Sequence, residues 1–141
     1  MYGAEYIAGL TLSEKIVFLR MIIKLIGKDG RIDDKERMLM KELAQQYQIP
    51  KELGNMISQP VSEDDLIDDA RSLLDRKKSL YLIKELLTVA NKDEDLADTE
   101  IDFVIKISQV LKIENEKVGE INQLVLDQLV WQDKYKHVME L

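Results

Sequence analysis

Ile16-Val17-Phe18-Leu19-Arg20-Met21-Ile22-Ile23-Lys24-Leu25-Ile26-Gly27 is the most apolar stretch of the chain. Ile16, Leu19, Ile22, Ile23 and Ile26 recur at helical spacing with Glu14, Arg20 and Lys24 off the stripe, so the segment predicts an amphipathic α-helix. A membrane span needs about 20 predominantly apolar residues, and this run is shorter and carries two cations. The same period returns in Leu39, Leu43 and Tyr47, in Ile83, Leu86, Leu87 and Ala90, and in Phe103, Ile107 and Leu111. A fifth stripe is Val118, Ile121, Leu124, Val125 and Leu129, and no alternation of period two interrupts the pattern. The expected fold is therefore all-α, with helices at 13–27, 33–47, 50–57, 63–75, 79–91, 98–111 and 116–137.

Helix starts support this division. Thr11-Leu-Ser-Glu14, Asp33-Asp-Lys-Glu36 and Ser62-Glu-Asp-Asp65 each set an oxygen acceptor three residues before a carboxylate. The acceptor satisfies an unpaired backbone N–H, and the carboxylate favours the positive helix end. Pro50 suits the first turn of a short helix, where its missing N–H costs nothing, and Pro60 ends that helix.

Residues 16–49 laid over 80–113 without gaps give six identities, among them Lys28/Lys92, Asp29/Asp93, Asp34/Asp98 and Glu36/Glu100. Apolar positions pair as well, including Leu19 with Ile83, Ile22 with Leu86, Leu39 with Phe103 and Leu43 with Ile107. Each copy reads as a helix, a tight acidic turn and a second helix. The 141 residues are thus expected to form one compact domain of about seven helices, built from an internal helical-hairpin repeat.

Composition limits the chemistry. With no cysteine, disulfides, thiolate zinc sites and cysteine nucleophiles are excluded. His137 is the only histidine, and neither a phosphate-binding Gly-rich loop nor a dinucleotide fingerprint is present, so no catalytic residues are expected. A net charge of −7 makes nucleic acid a poor partner. The basic run Arg76-Lys77-Lys78 reads as a solvated helix end. Met1-Tyr2-Gly3-Ala4-Glu5 has no basic leader character, so a cytoplasmic location without membrane insertion is expected.

The two turns concentrate the negative charge. Lys28-Asp29-Gly30-Arg31-Ile32-Asp33-Asp34-Lys35-Glu36 carries three cations and four carboxylates; Lys92-Asp93-Glu94-Asp95-Leu96-Ala97-Asp98-Thr99-Glu100 carries one and five. An EF-hand alignment fails, because loop positions 1 and 3 would be Leu25 and Gly27, or Val89 and Asn91. Two readings stay open. In one, the turns are structural: Asp29 and Asp93 make Asx turns, Asp33 caps the next helix, Glu36 completes the box and Asp98 is a shifted cap. In the other, Asp29, Asp33 and Glu36 converge with Asp93 and Glu100 on one site. Clustered carboxylates repel unless a cation intervenes, and oxygen-only ligation suits Ca²⁺, Mg²⁺ or Mn²⁺.

An apolar helix leading into Lys-Asp-Gly-Arg-Ile-Asp-Asp-Lys-Glu, followed by Leu39, Leu43, Ala44 and a helix ending before Ile49, resembles the TerB-like family of tellurite-resistance proteins. Val89-Ala90-Asn91-Lys92-Asp93, with Glu100 after it, is similar to that family's second acidic element. The resemblance runs from about Lys15 to Asp127, and departs from the pattern at Glu94 and Ala97. It implies an all-helical fold with an internal repeat and an acidic metal site on Asp29, Asp33, Glu36, Asp93 and Glu100. It further implies a non-enzymatic role in a stress or tellurite-resistance response.

Trp131, Tyr135 and His137, with Val130 and Val138, read either as a docking surface for a protein partner or as the packed side of a final helix. Met21, Met38, Met40 and Met56 read as core filler, and Tyr2 and Tyr6 as packing across a helix end. Partner identity and oligomeric state are not encoded in any motif of the sequence.

Overall fold

A computed structural model describes residues 4–27, 34–54, 57, 61–92 and 98–140. Seven α-helices occur among them: α1 Ala4–Ala8, α2 Leu12–Ile26, α3 Asp34–Gln46, α4 Glu63–Leu73, α5 Arg76–Lys92, α6 Asp98–Val110 and α7 Asn115–Met139. A 3₁₀ turn, Lys51–Leu53, comes after α3, and no strand is present among the described residues. The all-α expectation holds. Buried side chains form one hydrophobic cluster, contributed by α1, α2, α3, α4, α5, α6 and α7.

Helix α2 owes its start to its capping box. The Thr11 N–H donates to Glu14 Oε1 at 2.7 Å, and the Glu14 N–H donates to Thr11 Oγ1 at 3.2 Å. Helix α4 begins behind Ser62, whose Oγ accepts from the Asp65 N–H at 3.1 Å. Helix α5 begins three residues earlier than its apolar stripe suggests, because Asp75 Oδ1 accepts from the Lys78 N–H at 2.8 Å. Arg76-Lys77-Lys78 is the first turn of α5 with Arg76 and Lys77 exposed, a solvated helix end as expected. Pro50 precedes the 3₁₀ turn instead of lying within it. Asp98 likewise is the first residue of α6, not its cap.

Helix α2 is the centre of the molecule. Phe18, Met21, Ile22 and Leu25 are fully or almost fully buried, and α3, α4, α5 and α6 all pack on it. Helix α5 is the second axis, packing on α2, α6 and α7. Its first turn reaches the α6–α7 connection through Arg76, whose Nη2 donates to Glu114 Oε2 at 2.7 Å. Helix α1 gives no periodic signal in the sequence, but Tyr6 does pack across a neighbouring element: its ring stacks on Tyr81 at 4.3 Å.

Helices α3 and α6 end alike. Gln48 (φ 55°) and Lys112 (φ 61°) both adopt the left-handed region. The Gln48 N–H donates to the Gln45 carbonyl and the Ile49 N–H to the Ala44 carbonyl; Lys112 repeats this with Gln109 and Ile113 with Ser108. This is the Schellman arrangement, built twice without glycine and at positions 64 residues apart. Left-handed backbone costs a non-glycine residue roughly 1–2 kcal/mol. Ile113 is buried and Ile49 half-buried just past the reversal, so apolar burial offsets that strain at each end.

Candidate functional site

The acidic turns connect α2 to α3 and α5 to α6. Asp29, Asp33 and Asp93 lie outside the described residues, as does the side chain of Glu36, whose backbone belongs to α3. Glu100 is described: it is half-buried in the first turn of α6 and is not a free carboxylate. Among the described residues no three Asp, Glu or His side chains come together as a metal ion would require.

The helices that lead into the two turns are joined at their starts. Lys78 Nζ lies 2.7 Å from Glu14 Oε2, an ion pair between the first turns of α5 and α2. Burial pushes the Glu14 carboxyl up, but Lys78 and the Thr11 N–H and hydroxyl outweigh that effect and leave it below its ordinary range. Hydrogen bonding to Glu14 in turn raises the Lys78 ammonium. Glu14 and Lys78 occupy positions 64 apart, the same offset that relates the two turns.

Each hairpin carries an apolar groove. One, of about 390 Å³, lies between α2 and α3 and is lined by Leu19, Ile22, Ile23, Arg37, Met40, Lys41, Leu43, Ala44, Gly54 and Ile57. The other, of about 340 Å³, is lined by residues of α5, α6 and α7, among them Leu87, Ile101, Val104, Ile105 and Val118. Ile23, Arg37, Met40, Lys41 and Gly54 precede those five by 64 residues each. The second groove has a polar end, where Asn91 Nδ2 donates to the Leu87 carbonyl at 2.8 Å and to Asn122 Oδ1 at 2.9 Å.

Three features escape a reading of residue types. Glu85 stands on α5 at the position corresponding to Met21, and burial pushes its carboxyl up to about 7 against the opposing pull of Lys92. Lys84, next to it, is pushed down by burial and holds its Nζ 5.7 Å from the Tyr6 ring centroid. Burial likewise raises the Tyr47 phenol, whose hydroxyl has no hydrogen-bond partner among the described residues.

The last helix departs from the packed reading. Only Ile121 and Val125 of α7 are buried. Leu124, expected in a core stripe, is 56% exposed; Trp131 is 61%, Tyr135 54% and Val138 66% exposed. Leu124 lies off the packed face of α7, and Trp131, Tyr135 and Val138 lie past the end of that face. The Trp131 and Tyr135 rings lie 5.3 Å apart on this exposed side. Met38 is also exposed, whereas Met21 is buried and Met40 half-buried; Met56 lies outside the described residues.

No helix among the described residues is long and apolar enough to cross a membrane. Compared with protein-family models, with curated proteins and with solved structures, the chain matches none.

Proposed function

We propose that the protein is a non-enzymatic divalent-cation binder of the TerB-like, stress-response kind, which holds its ion between the acidic turns of the two hairpins. The observation that carries this reading is the Glu14–Lys78 pair. It sets the first turns of α2 and α5 side by side, and the two helices pack on one another. At a rise of 1.5 Å per residue, both helices reach their last turn about 20 Å further on. Helices that start together and pack together direct their exits to one side of a bundle, and both acidic turns leave from those exits. Asp29, Asp33, Glu36, Asp93 and Glu100 are the ligands of this reading. Their all-carboxylate chemistry fits Ca²⁺, Mg²⁺ or Mn²⁺, each of which relieves the mutual repulsion of the turns when bound.

Calorimetric titration of the chain with each cation tests it. Binding by the wild type, with a melting temperature that rises with cation concentration, is expected. Asp29→Asn/Asp93→Asn is expected to lose both effects. No heat and no thermal shift at millimolar cation would sink the reading and leave the turns as helix caps.

A second reading has its own support in the exposed side of α7: an interaction module that docks protein through Trp131 and Tyr135. Tyrosine and tryptophan are enriched among residues that carry binding energy.

A further inference from the structure

We propose that α7 pairs antiparallel with α7 of a second copy of this chain, along the outward seam Leu124, Gln128, Trp131, Tyr135 and Val138. The spacing along that seam alternates four and three residues, which is the heptad interval of a two-stranded coil. At 3.6 residues per turn the five side chains fall within an arc of about 80°. At the half-buried Gln128 the arc adjoins the Ile121–Val125 side, which faces the molecule's own core; Leu124, Trp131, Tyr135 and Val138 are exposed.

Charge selects the partner and the direction. Asp127 and Lys134 flank the same edge of the seam, seven residues apart. They are about 10 Å apart along the axis, too far to pair with each other. Neither forms an ion pair within the chain among the described residues; Asp127 Oδ1 accepts only the Gln123 amide, at 2.9 Å. When the two helices run antiparallel with Gln128 opposite Trp131, Leu124 falls opposite Tyr135. Asp127 of each copy then meets Lys134 of the other, and two-fold symmetry makes that contact twice. A parallel pair brings neither charge to its complement. The overlap from Ile121 to Val138 spans roughly 27 Å, which suits a weak, concentration-dependent dimer more than an obligate one.

The pairing rests on the docking reading of α7 and is independent of the cation reading, so it is measured in EDTA. Sedimentation of the intact chain over a range of concentrations gives the association constant. Trp131 is the only tryptophan, so its emission reports burial of the seam directly. The chain is expected to dimerise with a blue shift of that emission. Trp131→Glu should weaken association about thirtyfold or more while leaving the helical circular dichroism unchanged. Asp127→Lys and Lys134→Asp should each weaken it, and the two reversals together should restore it.

A dimer indifferent to Trp131→Glu would overturn the proposal. So would a double reversal that restores nothing. If the chain is monomeric at every concentration while Trp131→Glu abolishes capture of another protein, self-pairing is overturned and the docking reading is kept.

Discussion

The two hairpins share six residues at an offset of 64 and are unequal in burial. Helix α6 buries Phe103, Val104, Ile107 and Ser108 and is packed by α2, α4, α5 and α7. Among its described residues helix α3, at the offset of 64, buries only Leu43, with Leu39, Met40 and Ala44 half-covered, and it packs on α2. The difference lies in the segment that succeeds each hairpin. After Ile113 the chain continues as the 25-residue α7, which roofs the second hairpin through Val118, Ile121 and Val125. After Ile49 it makes a three-residue 3₁₀ turn, and Gly54 and Ile57 are the residues that the described chain offers to the α2–α3 groove. A pattern of apolar positions therefore specifies which face a helix would bury, while the next segment decides how much of that face is covered.

The largest test of this inequality is a pair of truncations at equivalent positions. Phe103→Ala should cost about 3–5 kcal/mol of unfolding free energy, the usual loss for a fully buried aromatic. Leu39→Ala, half-exposed already, should cost roughly 1 kcal/mol. Urea denaturation measures both, and equal losses would break the comparison.

A smaller effect is expected at Glu85, where the second hairpin half-buries a carboxyl and the first buries Met21. The carboxyl is raised in the fold to about 7, above an ordinary value of 4.5. Between those values the native state keeps a proton that the unfolded chain has lost, so stability falls as pH rises through the window. Above pH 7 both states are ionised and the full penalty stands. Glu85→Met, which gives the second hairpin the first one's residue, should raise stability at pH 8 by roughly 1–3 kcal/mol. At pH 4 the same substitution should show little pH-linked gain. A gain that is the same at both pH values would mean that packing, not ionisation, separates the two side chains.

The smallest expected change sharpens the likeness rather than the difference. Gln48→Gly and Lys112→Gly each relieve a left-handed backbone but add unfolded-state entropy. A net gain of about 0.5–1 kcal/mol is expected from each. Similar increments in thermal unfolding would mark the two helix ends as equivalent, and opposite signs would separate them.

Helices with long apolar stripes are readable from sequence because period and length reinforce one another. The stripe of α2 marks a helix that the structure starts at Leu12 and ends at Ile26. Helix α1 is not readable, since five residues hold too few turns to show a period. Three basic residues hide the start of α5, because Arg76-Lys77-Lys78 gives no sign that its last member finds Glu14 across the bundle. The outward side of α7 is hidden for a related reason: spacing reveals that Leu124 and Trp131 share a side but not whether anything lies against it. For the acidic site, the residue types in the turns carry the signal. Whether the two turns meet is set by how α2 and α5 pack, and residue types do not encode that.

Helix α7 also bears on how the molecule moves in water. Twenty-five residues of helix measure about 37 Å, yet every described residue after Leu129 is exposed. A rod fixed at one end to a rounded body drags more solvent than a sphere of equal mass, and it turns more slowly end over end than about its own axis. Amide relaxation along α7 should therefore carry a direction-dependent signature that any partner seated on the rod would alter.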